Sequence, residues 1–148
     1  GKVGFSRNPL EKPMPLVRID IPAATSRTEA AALSQAVHRA LVEQFTVPPD
    51  DLFQLISRRA PDEIVCTPEY LGVRHSDRVA FIQVFLAPGR TVGRKEAFYA
   101  QVARDAARET GFLAEDVLIN LVETLRENWS FGGGVAHYAV ADRERPAS

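Results

Sequence analysis

The feature that most constrains how this chain can fold is an internal repeat. Shifting the sequence by 65 residues lines up its two halves without a gap. Val17, Ile19 and Ile21 fall on Ile82, Val84 and Leu86, one alternating apolar run upon another. Thr25-Ser26 falls on Arg90-Thr91, Leu33 and Val37 fall on Phe98 and Val102, and Asp50-Asp51-Leu52 falls on Glu115-Asp116-Val117. Apolar residues are common, so one such match would mean little. A constant offset through strand, helix start, helix face and acidic turn marks a duplicated unit, and such a unit is read before any single element.

Within the first copy, period-two alternation over residues 16–21 predicts a strand. Ser26-Arg27-Thr28-Glu29 has capping-box spacing and opens a helix running to about residue 45. Its apolar stripe is Leu33, Val37, Leu41 and Phe45, spaced by four. Pro48 and Pro49 stop it, and Leu52–Ser57 is expected to return as a strand. The second copy predicts a strand at 79–86, a turn at Pro88-Gly89, a helix over 91–109 ended by Gly111, and a strand at 117–123. The expected fold class is therefore α/β (α+β): two right-handed β–α–β units making a four-stranded mixed sheet with both helices on one face. Such a sheet, apolar on both sides, cannot leave its second face wet, so self-association is expected. The expected organisation is a tag or N-terminal extension over 1–14 with an initiator Met14, and one domain over 15–140. Its repeats span about 15–58 and 79–123, joined by a charged loop over 60–78, and a polar, frayed tail follows over 141–148.

Composition excludes several function classes. A net charge of -1 without a basic run argues against nucleic acid as a partner. No apolar stretch approaches the roughly 20 residues a membrane helix needs, and the first residues lack the apolar core of a signal peptide. Cys66 is the single cysteine, so no internal disulfide can form, and a cytoplasmic location is expected. His38, His75 and His137 show no metal-ligand spacing with one another or with Cys66, which argues against metal catalysis. Gly132-Gly133-Gly134 precedes no helix and reads as a flexible hairpin turn rather than a phosphate loop. No Gly-x-Ser-x-Gly nucleophile elbow occurs.

Met14-Pro15, immediately before the first strand, is the point of chemical interest, because methionine is used once in the chain. If Met14 starts the protein, its removal exposes Pro15 as an N-terminal secondary amine. Alpha-amino groups titrate at about 7.7 to 8.0, and an apolar pocket or a nearby arginine lowers them toward the range of a general base at neutral pH. The alternative is a proline that merely leads into an edge strand.

Four segments in order decide between these: Pro15-Leu-Val-Arg-Ile-Asp, Val47-Pro-Pro-Asp-Asp-Leu-Phe-Gln, Pro88-Gly-Arg-Thr and Asn128-Trp-Ser-Phe-Gly. Together they resemble the tautomerase superfamily (the 4-oxalocrotonate tautomerase-like fold), and within it the branch of malonate semialdehyde decarboxylase and tautomerase-like proteins. The resemblance runs from Pro15 to about Tyr138. It implies a homotrimer of duplicated β–α–β subunits, a small carboxylated substrate, no cofactor, and an N-terminal proline as catalytic acid/base. Carried over by residue, Pro15 matches the catalytic proline. Asp51 matches an acidic residue that orients or activates a water. Arg90 matches the arginine that holds the substrate carboxylate, a role suited to a permanently charged fork of donors. His38 matches a histidine that contacts carboxylate in the cis-3-chloroacrylic acid dehalogenase branch, or is a structural helix histidine. Trp129 and Phe131 resemble pocket-lining aromatics, or belong to the core. A second arginine of the decarboxylase is Ala87 here, which weighs against decarboxylation or dehalogenation. The expected activity is enol–keto proton transfer in a small 2-oxo acid. The alternatives are decarboxylase- or dehalogenase-like hydration chemistry, or a non-catalytic trimer if Pro15 is not the mature N-terminus.

Overall fold

The computed structural model describes residues 15–144. Strand β1 (Leu16–Pro22) leads into helix α1 (Arg27–Phe45) and strand β2 (Gln54–Arg59). A small hairpin of β3 (Glu69–Tyr70) and β4 (Val73–Arg74) follows. The second unit is β5 (Ala80–Leu86), α2 (Val92–Glu109) and β6 (Val117–Glu123), and the described chain ends in α3 (His137–Glu144). The main sheet has the order β2-β1-β5-β6.

The repeat governs pairing as well as elements. Val17 faces Gln54 in the parallel pair β1–β2, and Ile82 faces Ile119 in the parallel pair β5–β6. The 65-residue shift carries one pairing onto the other. The two units meet where β1 and β5 run antiparallel, and there Arg18 faces Gln83, its own equivalent in the repeat. That pair therefore lies on the local two-fold axis relating the halves. Helix starts follow the same rule: the Ser26 side chain accepts from Glu29 N, and the Thr91 side chain accepts from Arg94 N.

Alternation decides which face is buried. Val17, Ile19 and Ile21 of β1 and Ile82, Val84 and Leu86 of β5 point at the helices, each at most 1% exposed. Leu33, Val37, Leu41 and Phe45 of α1 and Phe98, Val102 and Ala106 of α2 close over them. Phe45 and Phe98 stack across the helix pair at 4.8 Å. Burying each such side chain stabilises the fold by about 1.5–3 kcal/mol, so this single core is the main source of stability. The opposite face carries half-buried Leu16, Phe81, Phe85, Leu118 and Val122 among Arg18, Asp20, Gln83 and Asn120, and among the described residues α1 and α2 both pack on the other side.

Four expectations need correction. The return strand β2 begins at Gln54, not Leu52, because Leu52 N donates to Asp50 O and keeps Asp51–Phe53 in the turn. The loop over 60–78 contains the β3–β4 hairpin, turned through Leu71 and Gly72 at positive φ. A third helix, α3, adds to the two expected and follows Gly132-Gly133-Gly134, read above as preceding no helix; it includes residues 141–144, assigned above to a frayed tail, because Asp142 pairs with Arg126 at 3.0 Å. The capping box at Ser26 is half made: the Glu29 carboxylate leaves its helix start, accepts from Gly111 N at 2.7 Å and pairs with Arg78 at 3.2 Å. The expected tag or extension over 1–14, Met14 included, lies outside the described residues, as does 145–148. No helix among the described residues is long and apolar enough to cross a membrane.

Candidate active site

Register builds the site at one end of the sheet. Leu16 faces Phe85, and Val17 N donates to Phe53 O at 2.9 Å. Pro15, one residue earlier, therefore stands between the end of β5 and the turn that opens β2, and it is buried. In a parallel β–α–β unit the turn entering one strand and the start of its neighbour share a sheet edge, which is why sequence-distant residues gather here.

The turn entering β2 supplies Asp51, 3% exposed, whose backbone N donates to Pro48 O at 2.9 Å. His38, on α1, fastens the same turn: its Nε2 lies 2.7 Å from Pro49 O. A carbonyl only accepts, so Nε2 carries the hydrogen and donates. The ring's Nδ1 is buried without a hydrogen-bond partner.

The turn leaving β5 supplies Arg90. Its guanidinium donates to Ala87 O at 3.0 Å and to Phe45 O at 3.2 Å, and lies 5.3 Å from the centre of the Phe45 ring. Burial lowers its pKa, while the Glu123 carboxylate acts in the opposite sense. An arginine so placed remains cationic near neutral pH. Ala87 itself is 1% exposed beneath Tyr138 and Trp129, so no cation occupies that position. Arg58 and Arg59 lie at the far end of β2, and Arg59 pairs with Asp20 at 2.8 Å. Within one subunit neither reaches this edge of the sheet, about 20 Å away at roughly 3.3 Å per strand residue.

An aromatic wall joins the two turns. Trp129 stacks on Phe131 at 5.5 Å and 5° between planes, and Phe131 meets Phe53 at 5.6 Å and the edge of Tyr138 at 5.3 Å. Tyr138 packs on Ala87, and Arg126 lies over its ring at 4.3 Å. Phe131 N donates to His137 Nδ1 at 3.2 Å, tying the wall to the start of α3. The sequence reading missed Phe53, Tyr138 and Arg126 as neighbours of the site, for their contacts are long-range and have no local signature. Trp129 and Phe131, left open between pocket and core, are in this wall, with Phe131 37% exposed.

The structure thus brings Pro15, Asp51, Arg90 and the turn held by His38 to one sheet edge, beside Trp129 and Phe131. Among the described residues no group of three or more His, Cys, Asp or Glu side chains forms a metal site. Cys66 and His75 do meet, at 3.5 Å, across the hairpin loop.

Comparison with known proteins bears directly on this arrangement. Two family models, each described as tautomerase enzyme, match residues 15–74 and 51–132. The chain belongs to the tautomerase family. The two matches together contain every residue named above as a candidate, from Pro15 to Phe131. Among curated tautomerase relatives, the probable tautomerase YusQ of Bacillus subtilis (strain 168) is 36% identical over 123 residues, covering 83% of this chain and 97% of that protein. Among solved structures, the FG41 malonate semialdehyde decarboxylase inhibited by 3-bromopropiolate is 35% identical with a TM-score of 0.79, covering 88% of this chain and 99% of the other. A malonate semialdehyde decarboxylase with decarboxylase and hydratase activities is 31% identical with a TM-score of 0.77, covering 86% and 98%. It was solved as wild type, inactivated, and with alanine for the proline at its first position. A fused 4-OT, solved as a symmetric trimer, shares the fold at a TM-score of 0.67 and 21% identity, covering 84% and 98%. The resemblance read from four sequence segments is borne out, and the chain is an enzyme of the tautomerase class.

Proposed function

We propose that this tautomerase catalyses enol–keto proton transfer in a small 2-oxo acid, with Pro15 as general acid/base and Arg90 as the carboxylate anchor. The observation that carries the reading is the meeting of buried Pro15, buried Asp51 and the Arg90 guanidinium at one sheet edge lined by aromatic rings. In a chain beginning at Pro15 the nitrogen is a secondary amine with a lone pair. It takes the enol O–H proton and, as a secondary ammonium, returns a proton to the substrate carbon, so the amine ends neutral. With residue 14 attached the nitrogen is a tertiary amide, and this chemistry is closed to it. Trp129 and Phe131 exclude water and thereby favour the neutral amine. Arg90 brings a permanently charged fork of N–H donors, the group suited to hold a carboxylate. The uncovered apolar sheet face supports a homotrimer, the assembly of the fused 4-OT relative.

Decarboxylation or hydration of a 3-oxo acid is the second reading. Buried Asp51 favours it as a group to orient water, and so does the likeness to malonate semialdehyde decarboxylases. Ala87, sealed under Tyr138 and Trp129, counts against it, because no second cation stands there to polarise the substrate. The test assays a chain beginning at Pro15, and its Pro15→Ala variant, with an aryl enol-pyruvate and with malonate semialdehyde. Proline-dependent loss of the enol signal supports the first reading. Acetaldehyde formation without enol turnover would replace it by the second.

A further inference from the structure

We propose that His38 is a positioning residue of the active site, a tether that sets the turn carrying Asp51, rather than a contact to substrate carboxylate. The inference rests on the proposed role of Asp51 and extends it to a residue on a different element.

A carboxylate accepts hydrogen bonds, so a histidine that holds one must offer it an N–H. His38 Nε2–H already points at Pro49 O across 2.7 Å, a short bond by the usual range for N–H···O. In the neutral ring with its hydrogen on Nε2, Nδ1 bears the lone pair and offers no hydrogen, and it is buried without a hydrogen-bond partner. In that tautomer neither ring nitrogen has an N–H to spare for an anion.

The same bond has an evident mechanical effect. Prolines at 48 and 49 carry no N–H, so this stretch of the turn cannot fasten itself to α1 through backbone donors. Val47 N reaches Leu41 O at 3.2 Å at the near end, and the next tie to α1 is the one from His38 to Pro49 O. Asp51 follows two residues later, its N–H bound to Pro48 O at 2.9 Å. His38 therefore clamps the turn from the rigid helix side, standing directly after Val37 of the core stripe. The clamp fixes the carboxylate's origin, and a displacement of about 1 Å at a catalytic group can cost on the order of 100-fold in rate.

The experiment is a double-mutant cycle with the chain beginning at Pro15: His38→Ala, Asp51→Asn and both together, with His38→Gln as a donor-keeping variant. Turnover of the aryl enol-pyruvate gives kcat and KM, and hydrogen exchange reads the Asp51 and Leu52 amides. The expected result is a fall in kcat of about tenfold in His38→Ala with KM within twofold, partial recovery in His38→Gln, and a double variant no slower than Asp51→Asn alone. Additive losses in the double variant, a rise in KM with kcat unchanged, or an Asp51→Asn variant as fast as the parent would each overturn the proposal. Nitrogen-15 NMR of His38 supplies an arm independent of turnover. An Nε2–H tautomer, with faster exchange at Asp51 and Leu52 in His38→Ala, supports the tether even if the enol substrate proves wrong. An Nδ1–H tautomer or unchanged exchange overturns the tether whatever the substrate.

Discussion

Replacing Arg90 by glutamine should damage stability and substrate binding separately, and by different amounts. The guanidinium bonds to Ala87 O and Phe45 O at 3.0 and 3.2 Å and lies over the Phe45 ring. Charge-assisted hydrogen bonds contribute about 1.5–3 kcal/mol each at most, and a cation over a partly exposed ring about 0.5–1 kcal/mol. Glutamine keeps reach to one carbonyl, which leaves a net loss of about 2–3 kcal/mol. At roughly 2–4 °C per kcal/mol for a chain of this size, Tm should fall by about 5–10 °C. Loss of the carboxylate partner costs a further 2–5 kcal/mol in transition-state binding, so kcat/KM should fall by about 30-fold or more. Arg90→Lys keeps a charge without the fork, and should recover part of kcat/KM and less of Tm. The assay is kcat/KM on the enol substrate at 25 °C, with thermal unfolding followed in parallel by circular dichroism. If kcat/KM stays within about threefold while Tm drops, Arg90 braces Phe45 and Ala87 and does not hold substrate, and the reasoning fails.

Other consequences are simpler. Asp105, 3% exposed, accepts from Arg39, Arg104 and Arg108. Burial works to raise its carboxyl pKa, but the arginine bonds and charges outweigh burial and hold it below the ordinary value. A depressed folded pKa means stability that is fully present above the unfolded value of about 3.9 and is lost as pH falls through the folded one. The stability gap between parent and Asp105→Asn, measured by urea unfolding, should thus be widest near pH 7 and narrow at lower pH. Ser26→Ala and Thr91→Ala each remove a helix cap at equivalent points of the repeat, and each should cost about 1 kcal/mol in the same measurement. Gly111→Ala should also destabilise, because a Cβ there meets the Glu29 carboxylate that the Gly111 N–H now holds.

The duplication was legible because it is written in local patterns that repeat: strand alternation, helix caps and the helix stripe all recur 65 residues apart. It implied the four-stranded mixed sheet, while the strand order and the pairing of Arg18 with its repeat equivalent Gln83 are added by the structure. What escaped the sequence were residues whose roles depend on partners far along the chain. Leu52 and Phe53 read as strand by their apolarity, yet they stand 50% and 45% exposed in the turn, where Phe53 meets Phe131. Helix α3 follows three glycines at positive φ, and it is set by Tyr138 on Ala87 and by Asp142 on Arg126. Glu29 has the right spacing for a capping box, but Gly111 and Arg78 compete for it. Gly111 itself sits where it does for close approach, since it is not among the glycines at positive φ. For the site, the residue types were readable, but the gathering of Pro15, Asp51 and Arg90 follows only from strand register.

The central claim is that Pro15, as a free amine, is the reacting base, and covalent labelling tests it most directly. The protein beginning at Pro15 is treated with 3-bromopropiolate, the compound that inhibits the FG41 decarboxylase relative, and the adduct is mapped by peptide mass spectrometry. A Cys66→Ser background removes the one thiol that could compete. The account predicts one adduct per chain, on Pro15, formed in step with loss of turnover and absent when residues 1–14 remain attached. An adduct elsewhere, or full turnover in a chain that retains residues 1–14, would contradict it.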